Sequence, residues 1–514
     1  RMINPKKLKR SSHPVMFFIY MSLLVVIVSA IASALNFQVT YDQLTTIAGE
    51  VESKTTAVNS LLSLDGIKFI MTSAYDNLIN FVPFGSMLIA SIAFGIALKS
   101  GFLKSLCNKL NKKIPKFLII FVFSLICILA SVDNNFGYVL LLPFGAVLFM
   151  SMNRNPIGGL ALSFASIAAG HGAGLFITAL DYNLTSYTEA SAKLMDTEYS
   201  VLQSSNLIFI IVAALFIAAI CTFITEKIVS RKLGRNQLEE DEELVLEESK
   251  ENKGLIASLI ATIICLIPII LMLIPVSGNS FLGLLLDKSQ DVYSKMLFSS
   301  DALLMTNMVG IISFIFALQG FVFGVVTGTI RKIRDMVNFS TDYLKTVGGI
   351  FVLIFFAAQL NALVTESNIG VVVTGWLSNL IATSNFSFIP LVLLIFVFAG
   401  VSNILLPGSI AKWAILAPNI MPTVMKANIT PEFAQLVFRA GESATNVITP
   451  LFTYFVIFIG FIEVFTKNKN EFSIKGCYRT VLPYFLAIDL VWLLMIICWY
   501  VIGLPIGPGV YPGL

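Results

Sequence analysis

Two stretches of this chain place polar and small residues in the middle of long apolar runs. They are Asn134-Asn135-Phe136-Gly137-Tyr138-Val139-Leu140-Leu141-Leu142-Pro143 and Ser409-Ile410-Ala411-Lys412-Trp413-Ala414-Ile415-Leu416-Ala417-Pro418. Hydrocarbon offers no water to freed backbone N–H and C=O groups, so an interrupted span survives only where it is buried in protein or lines a wet cavity. Interrupted apolar segments at corresponding places in two halves of a chain point to the binding site of a secondary transporter. The expectation is a carrier, with Asn135, Gly137 and Pro418 at the breaks.

With 57% hydrophobic residues, 12% charged and a mean hydropathy of +0.86 over 514 residues, the chain is a polytopic membrane protein. The first apolar run, Pro14 to Asn36, exceeds the core of a secretory signal and is expected to persist as a span. The six cysteines are scattered without metal-ligand spacing, and a net charge of +4 gives no nucleic-acid surface. No metal or cofactor is expected; membrane lipid is.

Lysine and arginine set the orientation, because short cytoplasmic loops retain positive charge. Lys6, Lys7, Lys9 and Arg10 precede the first span, while the segment 37–66 carries Asp42, Glu50, Glu52 and Asp65 against Lys54. After a second span near 81–98, six lysines from Lys99 to Lys116 come with no acid among them. Lys227/Arg231/Lys232/Arg235, Arg331/Lys332/Arg334 and Lys467/Lys469/Lys475/Arg479 mark later returns. The N-terminus is expected inside, and the final span, near 481–502, leaves the C-terminus outside. Charge does not separate a re-entrant pair from two full crossings, since both end on the side where they began.

The acid-rich stretch Glu239 to Glu251 reads as a solvated linker, giving a first half 1–230, a linker 231–254 and a second half 255–514. The halves match in order. Pro115–Ala130, the break at 131–135, Pro143, Pro156, the small-residue stretch 165–174 and Asp181 are followed by Phe388–Gly400, Ser402-Asn403, Pro418, Pro431, Arg439, Glu442 to Asn446 and Pro450. An inverted repeat with a midplane site is the expected arrangement.

A charge at bilayer centre costs roughly 2.5–3.5 kcal/mol on insertion scales, so Asp133, Asp181, Lys412, Arg439, Glu442 and Asp489 carry the most information, with His171 inside a glycine- and alanine-rich stretch. Arg439 and Glu442, three apart, share neighbouring positions on one helix face; they neutralise each other structurally, bind an anion through the guanidinium fork, or exchange a proton. Asn135, Asn403, Ser409, Thr445 and Asn446 supply neutral hydrogen-bonding groups beside the breaks. Trp413 is either an interfacial residue or a stacking surface for a planar ligand.

The run Ala411-Lys412-Trp413-Ala414-Ile415-Leu416-Ala417-Pro418, the segment Arg439-Ala440-Gly441-Glu442-Ser443-Ala444-Thr445-Asn446-Val447-Ile448-Thr449-Pro450-Leu451 and the end Gly503-Leu504-Pro505-Ile506-Gly507-Pro508-Gly509 resemble the AbgT family of p-aminobenzoyl-glutamate transporters. Ile177-Thr178-Ala179-Leu180-Asp181 resembles the family's acidic site beside its first hairpin. The resemblance implies an all-α homodimer in the bacterial inner membrane, each protomer with about nine transmembrane helices and two opposed re-entrant hairpins. It also implies proton-driven import of p-aminobenzoyl-glutamate or expulsion of sulfonamide antimetabolites. Carried over by motif, the family's functional positions fall on Asp181, Asn403, Trp413, Pro431, Arg439, Glu442 and Pro450. The chain departs from the family pattern at Glu442 (usually Asp), Ile410 (Ser), Asn135 (Asp), His171 (an aromatic residue) and Gly174 (Asn).

On this reading Arg439 holds a carboxylate, Trp413 stacks on an aryl ring, Asn403, Ser409 and Asn446 orient an amide, and Asp181 or Glu442 couples transport to H⁺, or alternatively Na⁺. A sodium-coupled carrier of another carboxylate and a passive channel are the rival readings. With two histidines and no HExxH or GxSxG motif, an intramembrane hydrolase has no nucleophile-and-base set to build on.

Overall fold

The computed structural model describes residues 13–44, 50–236, 246–276, 278, 280–406, 408–467 and 472–514, without the side chain of Asn134. Lys6, Lys7, Lys9, Arg10, Lys469 and the acids from Glu239 to Glu243 lie outside the described residues.

Helices of ten or more residues are numbered here in chain order. The span α1 (Pro14–Ala34) leads to an antiparallel pair of strands, β1 (Gln38–Leu44) and β2 (Val51–Ala57), in register from Gln38 opposite Ala57 to Leu44 opposite Val51. Next come α2 (Pro83–Lys99) and α3 (Phe102–Lys113), bent 64° apart, then α4 (Lys116–Leu129), α5 (Leu142–Ser151), α6 (Pro156–Ala169), α7 (Ala179–Ala192) and α8 (Leu207–Ile224). The second half runs α9 (Glu248–Leu271), α10 (Met308–Thr327), α11 (Ile333–Glu366), α12 (Ile369–Ala382), α13 (Phe388–Leu405), α14 (Ser409–Lys426), α15 (Pro431–Asn446), α16 (Phe455–Val464) and α17 (Ile474–Ile502). Among the described residues, eight helices are long and apolar enough to cross a membrane, or nine if the bent α2–α3 pair is one span. The sequence reading missed the strands, which occupy the acid-rich segment after the first span. It also began the final span seven residues late and gave Glu248–Gly254, the start of α9, to the linker.

Helix α11 orders the molecule. Its 34 residues extend for about 50 Å at 1.5 Å per residue. Beside its first residue, Thr329 donates to Ser100 O in the α2–α3 bend; past its last, Ser367 O accepts from Asn59 N, just beyond β2. The α3 end and the strand end are therefore opposite sides. On the α3 side, Asn111 donates to Ser151 at 2.6 Å, Lys116 to Met152 O at 3.2 Å, and Asn155 N to Gly234 O. On the strand side, Asn379 donates to Thr40 O, Asn419 to Asp42 O at 2.7 Å, and Thr430 N to Pro512 O. The pairs α4–α5 and α13–α14 thus open toward opposite sides, and α6 and α15 enter from those same opposite sides. This is the two-hairpin, inverted arrangement.

Close approach at the first hairpin depends on absent side chains. A Cβ on Gly159 of α6 would lie 2.0 Å from Gly145 O of α5, and one on Gly145 would lie 2.3 Å from Ser163 Oγ. Membrane helices lack a hydrophobic force between them and gain by packing this tightly on small residues. Gly159→Ala is expected to cost about 1–3 kcal/mol through overpacking. Thermal unfolding of the purified protein in detergent checks this, and an unchanged midpoint would contradict the close contact.

Candidate functional site

Four interruptions meet at the centre, two more than the sequence reading placed there. The first lies between α4 and α5: a 3₁₀ turn Ala130–Asp133, one turn over Asn134–Phe136 and a π-turn Gly137–Leu141. The second spans 170–178 between α6 and α7, the third lies between the end of α13 at Leu405 and the start of α14 at Ser409, and the fourth spans 447–454 between α15 and α16. Ser131 of the first donates to Gly170 O of the second at 2.8 Å. Tyr454 of the fourth donates to Asn135 of the first at 2.5 Å and stacks on Tyr138 with ring centroids 4.5 Å apart. His171 of the second meets Ser409, the residue after the third, at 3.0 Å. Asn403, three residues before the third, donates to Asn446 at 2.8 Å, Thr445 at 3.0 Å and Glu442 O at 3.2 Å, on the α15 side of the fourth. Each hairpin tip is thereby tied to both interrupted spans.

Local chemistry explains the breaks. Gly408 has φ of 94°, a conformation L side chains rarely adopt. Gly170 must be glycine because a Cβ there would lie 2.5 Å from Ile128 O. Pro450 sits within the fourth interruption, and Gly137, buried, opens the π-turn of the first. Pro418 corrects the sequence reading: α14 runs through Pro418 and Pro422 without a break, and the interruption lies upstream, before Ser409. Pro431 occupies the first helical position of α15, where its missing N–H costs nothing. Pro143 is the second residue of α5, again within the first turn.

Two buried ion pairs cross the halves and the hairpin. Arg439 of α15 bonds Asp181 of α7 through Nη1 and donates from Nη2 to His171 O at 2.7 Å. The second oxygen of Asp181 accepts from Thr178 N and Oγ1, both at 2.8 Å, so it caps α7. Lys412 of α14, with 0% of its side chain exposed, lies 2.5 Å from Glu442 Oε1 and donates to Asn403 Oδ1 at 2.5 Å. The other oxygen of Glu442 lies 3.1 Å from His171 Nε2. Arg439 and Glu442 therefore do not pair with each other, which corrects one sequence expectation: from neighbouring positions on α15 they turn to α7 and α14.

A cavity of about 200 Å³ opens against this network, walled by Ser131, Gly170, His171, Thr178, Asp181 and Arg439 among others. Arg439 Nε is buried without a hydrogen-bond partner among the described residues. Asp181 and Arg439 thus line the cavity, while Asn403, Ser409, Glu442 and Asn446 form the polar network behind it. Trp413 stands apart: it is fully buried, donates to Thr188 Oγ1 at 2.8 Å and packs on Phe438 at 4.7 Å between ring centroids. Its indole does not line the cavity, so a stacking surface there is not what this structure presents. His171 and Lys412 are central here, although the sequence shows only their placement cost and no partner for either. The cost of burying a lysine was itself the signal.

Breaking one partner of a buried pair leaves an uncompensated charge. Lys412→Met is expected to destabilise by about 3–5 kcal/mol, and Lys412→Met with Glu442→Leu to regain most of that loss. A thermal-unfolding double-mutant cycle measures both, and additive losses would show that the pair is not coupled.

Residues 8–514 match the family model described as "AbgT putative transporter family". The p-aminobenzoyl-glutamate transport protein of Escherichia coli K12 is 27% identical over 506 residues, covering 98% of this chain and 94% of that protein. Among solved structures, the YdaH transporter of Alcanivorax borkumensis is 26% identical, covering 97% of this chain and 100% of that chain at a TM-score of 0.49. MtrF of Neisseria gonorrhoeae, described with a class of antimetabolite efflux pumps, is 29% identical over 98% of both chains, also at 0.49. With a family match over nearly its whole length and relatives named as transport proteins rather than enzymes, the chain belongs to the AbgT family of membrane transporters.

Proposed function

We propose that this transporter moves a small anionic aryl-amide or folate-related solute, of the p-aminobenzoyl-glutamate kind or a sulfonamide, and couples that movement to a cation gradient, with protons favoured over Na⁺. One observation carries the solute class: Arg439 lines a central cavity and its buried Nε has no hydrogen-bond partner among the described residues. A carboxylate entering there meets a charge-assisted hydrogen bond in a low-dielectric setting. The names of the relatives point to the same class, p-aminobenzoyl-glutamate for one and antimetabolites for another. Asn403, Ser409 and Asn446 hold the second hairpin tip against α15 and the interruption between α6 and α7, where a solute amide has polar partners within reach. The aryl ring is not assigned to Trp413, which is occupied by Thr188 and Phe438.

The protein is proposed to work as a homodimer in the bacterial inner membrane, with the α3 side cytoplasmic. Lys104, Lys109, Lys112, Lys113, Arg231 and Lys232 fall on that side, which supports the orientation. It puts the N-terminus inside and the C-terminus outside. Coupling is proposed to run through titratable groups of the central network, because a charge that loses its partner during the cycle exchanges a proton readily in a low-dielectric site.

Arg439→Ala is expected to weaken binding of p-aminobenzoyl-glutamate by about 10–100-fold, the worth of a charged hydrogen bond of roughly 1.5–3 kcal/mol. Calorimetry in detergent measures this; wild-type affinity in the variant would refute the carboxylate assignment. In proteoliposomes, an imposed pH gradient is expected to drive accumulation and a Na⁺ gradient alone is not. The reverse outcome would select the sodium-coupled reading, and uptake that merely equilibrates would select a channel.

A further inference from the structure

We propose that His171 carries the coupled proton, and that the proton and the anionic solute bind together, making the cycle proton–solute symport rather than exchange. The inference rests on the carboxylate reading above and names the group and the stoichiometric sense that reading leaves open.

His171 sits in the interruption between α6 and α7, with 13% of its side chain exposed. One ring atom, Nε2, faces both Ser409 at the second hairpin tip, 3.0 Å away, and Glu442 of α15, 3.1 Å away. A bare Nε2 has a single lone pair and accepts from the Ser409 hydroxyl; an Nε2–H, in the neutral Nε2–H tautomer or in imidazolium, donates to the Glu442 carboxylate. Imidazolium alone holds Glu442 with a full positive charge, so an added proton strengthens that contact. Its backbone carbonyl meanwhile accepts from Arg439 Nη2, so the same residue touches the cavity's cation.

Charge balance supplies the coupling. His171 contacts Glu442 and Arg439 of α15 and Ser409 of α14, and through those partners it is linked to Lys412 of α14 and Asp181 of α7. The first hairpin contributes Ser131 with Asp133 two residues on, α17 packs Trp492 on Gly172 with Asp489 three residues before it, and α8 contributes Ile210, which does not titrate. Lys412 with Glu442 and Arg439 with Asp181 are two closed pairs, so these four groups and a neutral His171 sum to zero charge. A proton on His171 leaves one net positive charge, and a solute carboxylate brings one negative charge. Each alone is unfavourable in a low-dielectric interior, and together they cancel. Each therefore raises the affinity for the other, by the same factor in both directions.

The test uses the full chain in lipid nanodiscs. Wild-type protein is expected to bind p-aminobenzoyl-glutamate at least about tenfold more tightly at pH 6 than at pH 8, and His171→Gln to lose that dependence. Because the chain has two histidines, His13→Ala leaves His171 as the sole source of ¹⁵N-imidazole signals. Adding solute at a pH where the empty protein shows a neutral ring is expected to convert it to imidazolium. A pH dependence that survives in His171→Gln, or a ring indifferent to bound solute, overturns the proposal. A solute-free arm separates it from the solute assignment: Arg439→Gln removes one positive charge from the same core and is expected to protonate His171 with nothing bound. A ring still neutral in that variant overturns the charge-balance inference even if p-aminobenzoyl-glutamate binds. Failure of wild type to bind that solute, with the Arg439→Gln result as expected, would overturn only the solute assignment.

Discussion

Backbone freed from helix inside a membrane has to be satisfied by protein, and the organisation of this transporter follows from that requirement. Four interruptions are placed so that each hairpin tip hydrogen-bonds to both interrupted spans, through Ser131, Asn135, Asn403 and Ser409 on one hand and Gly170, His171, Asn446 and Tyr454 on the other. Gly170 permits one such contact by carrying no Cβ, and Gly408 permits another by its left-handed backbone. Solving the backbone problem creates a place in the bundle where charged side chains are also at home.

The charges sit there for the same reason. Asp181–Arg439 and Lys412–Glu442 are buried pairs, and buried pairs in general contribute little net stability over a well-packed apolar alternative. What they do here is join different helices by charge, α7 to α15 in one case and α14 to α15 in the other, with His171 bridging from the first half to the second.

Much of this was legible in the sequence, and the limits of that reading are instructive. Helix extents came through well for α1 and α2, where an unbroken apolar run is its own signal. The strands β1 and β2 did not, because seven polar-alternating residues outside the membrane look like loop beside spans of such hydropathy. Pro418 was read as a break although α14 continues through it: each proline removes one N–H donor, so Pro418 and Pro422 leave the carbonyls of Ala414 and Pro418 without their helical partners while the rest of the helix is kept. Trp413 was read as facing a ligand, but a tryptophan beside a buried lysine is equally able to pack, and Thr188 of the other half satisfies its N–H.

By itself the sequence determined the class of molecule, the existence of two related halves, the polar hairpin tips and the residues whose burial demanded explanation, because each of these is a cost or periodicity written locally along the chain. Only the tertiary structure decided the partners. Arg439 turns to Asp181, 258 positions away, and Glu442 to Lys412 and His171, 30 and 271 positions away. Neighbours on one helix face can diverge by a few tens of degrees toward different helices, and no spacing within α15 says which helices those are. That choice belongs to the packing of two inverted repeats against each other, and it converts a set of expensive residues into a site.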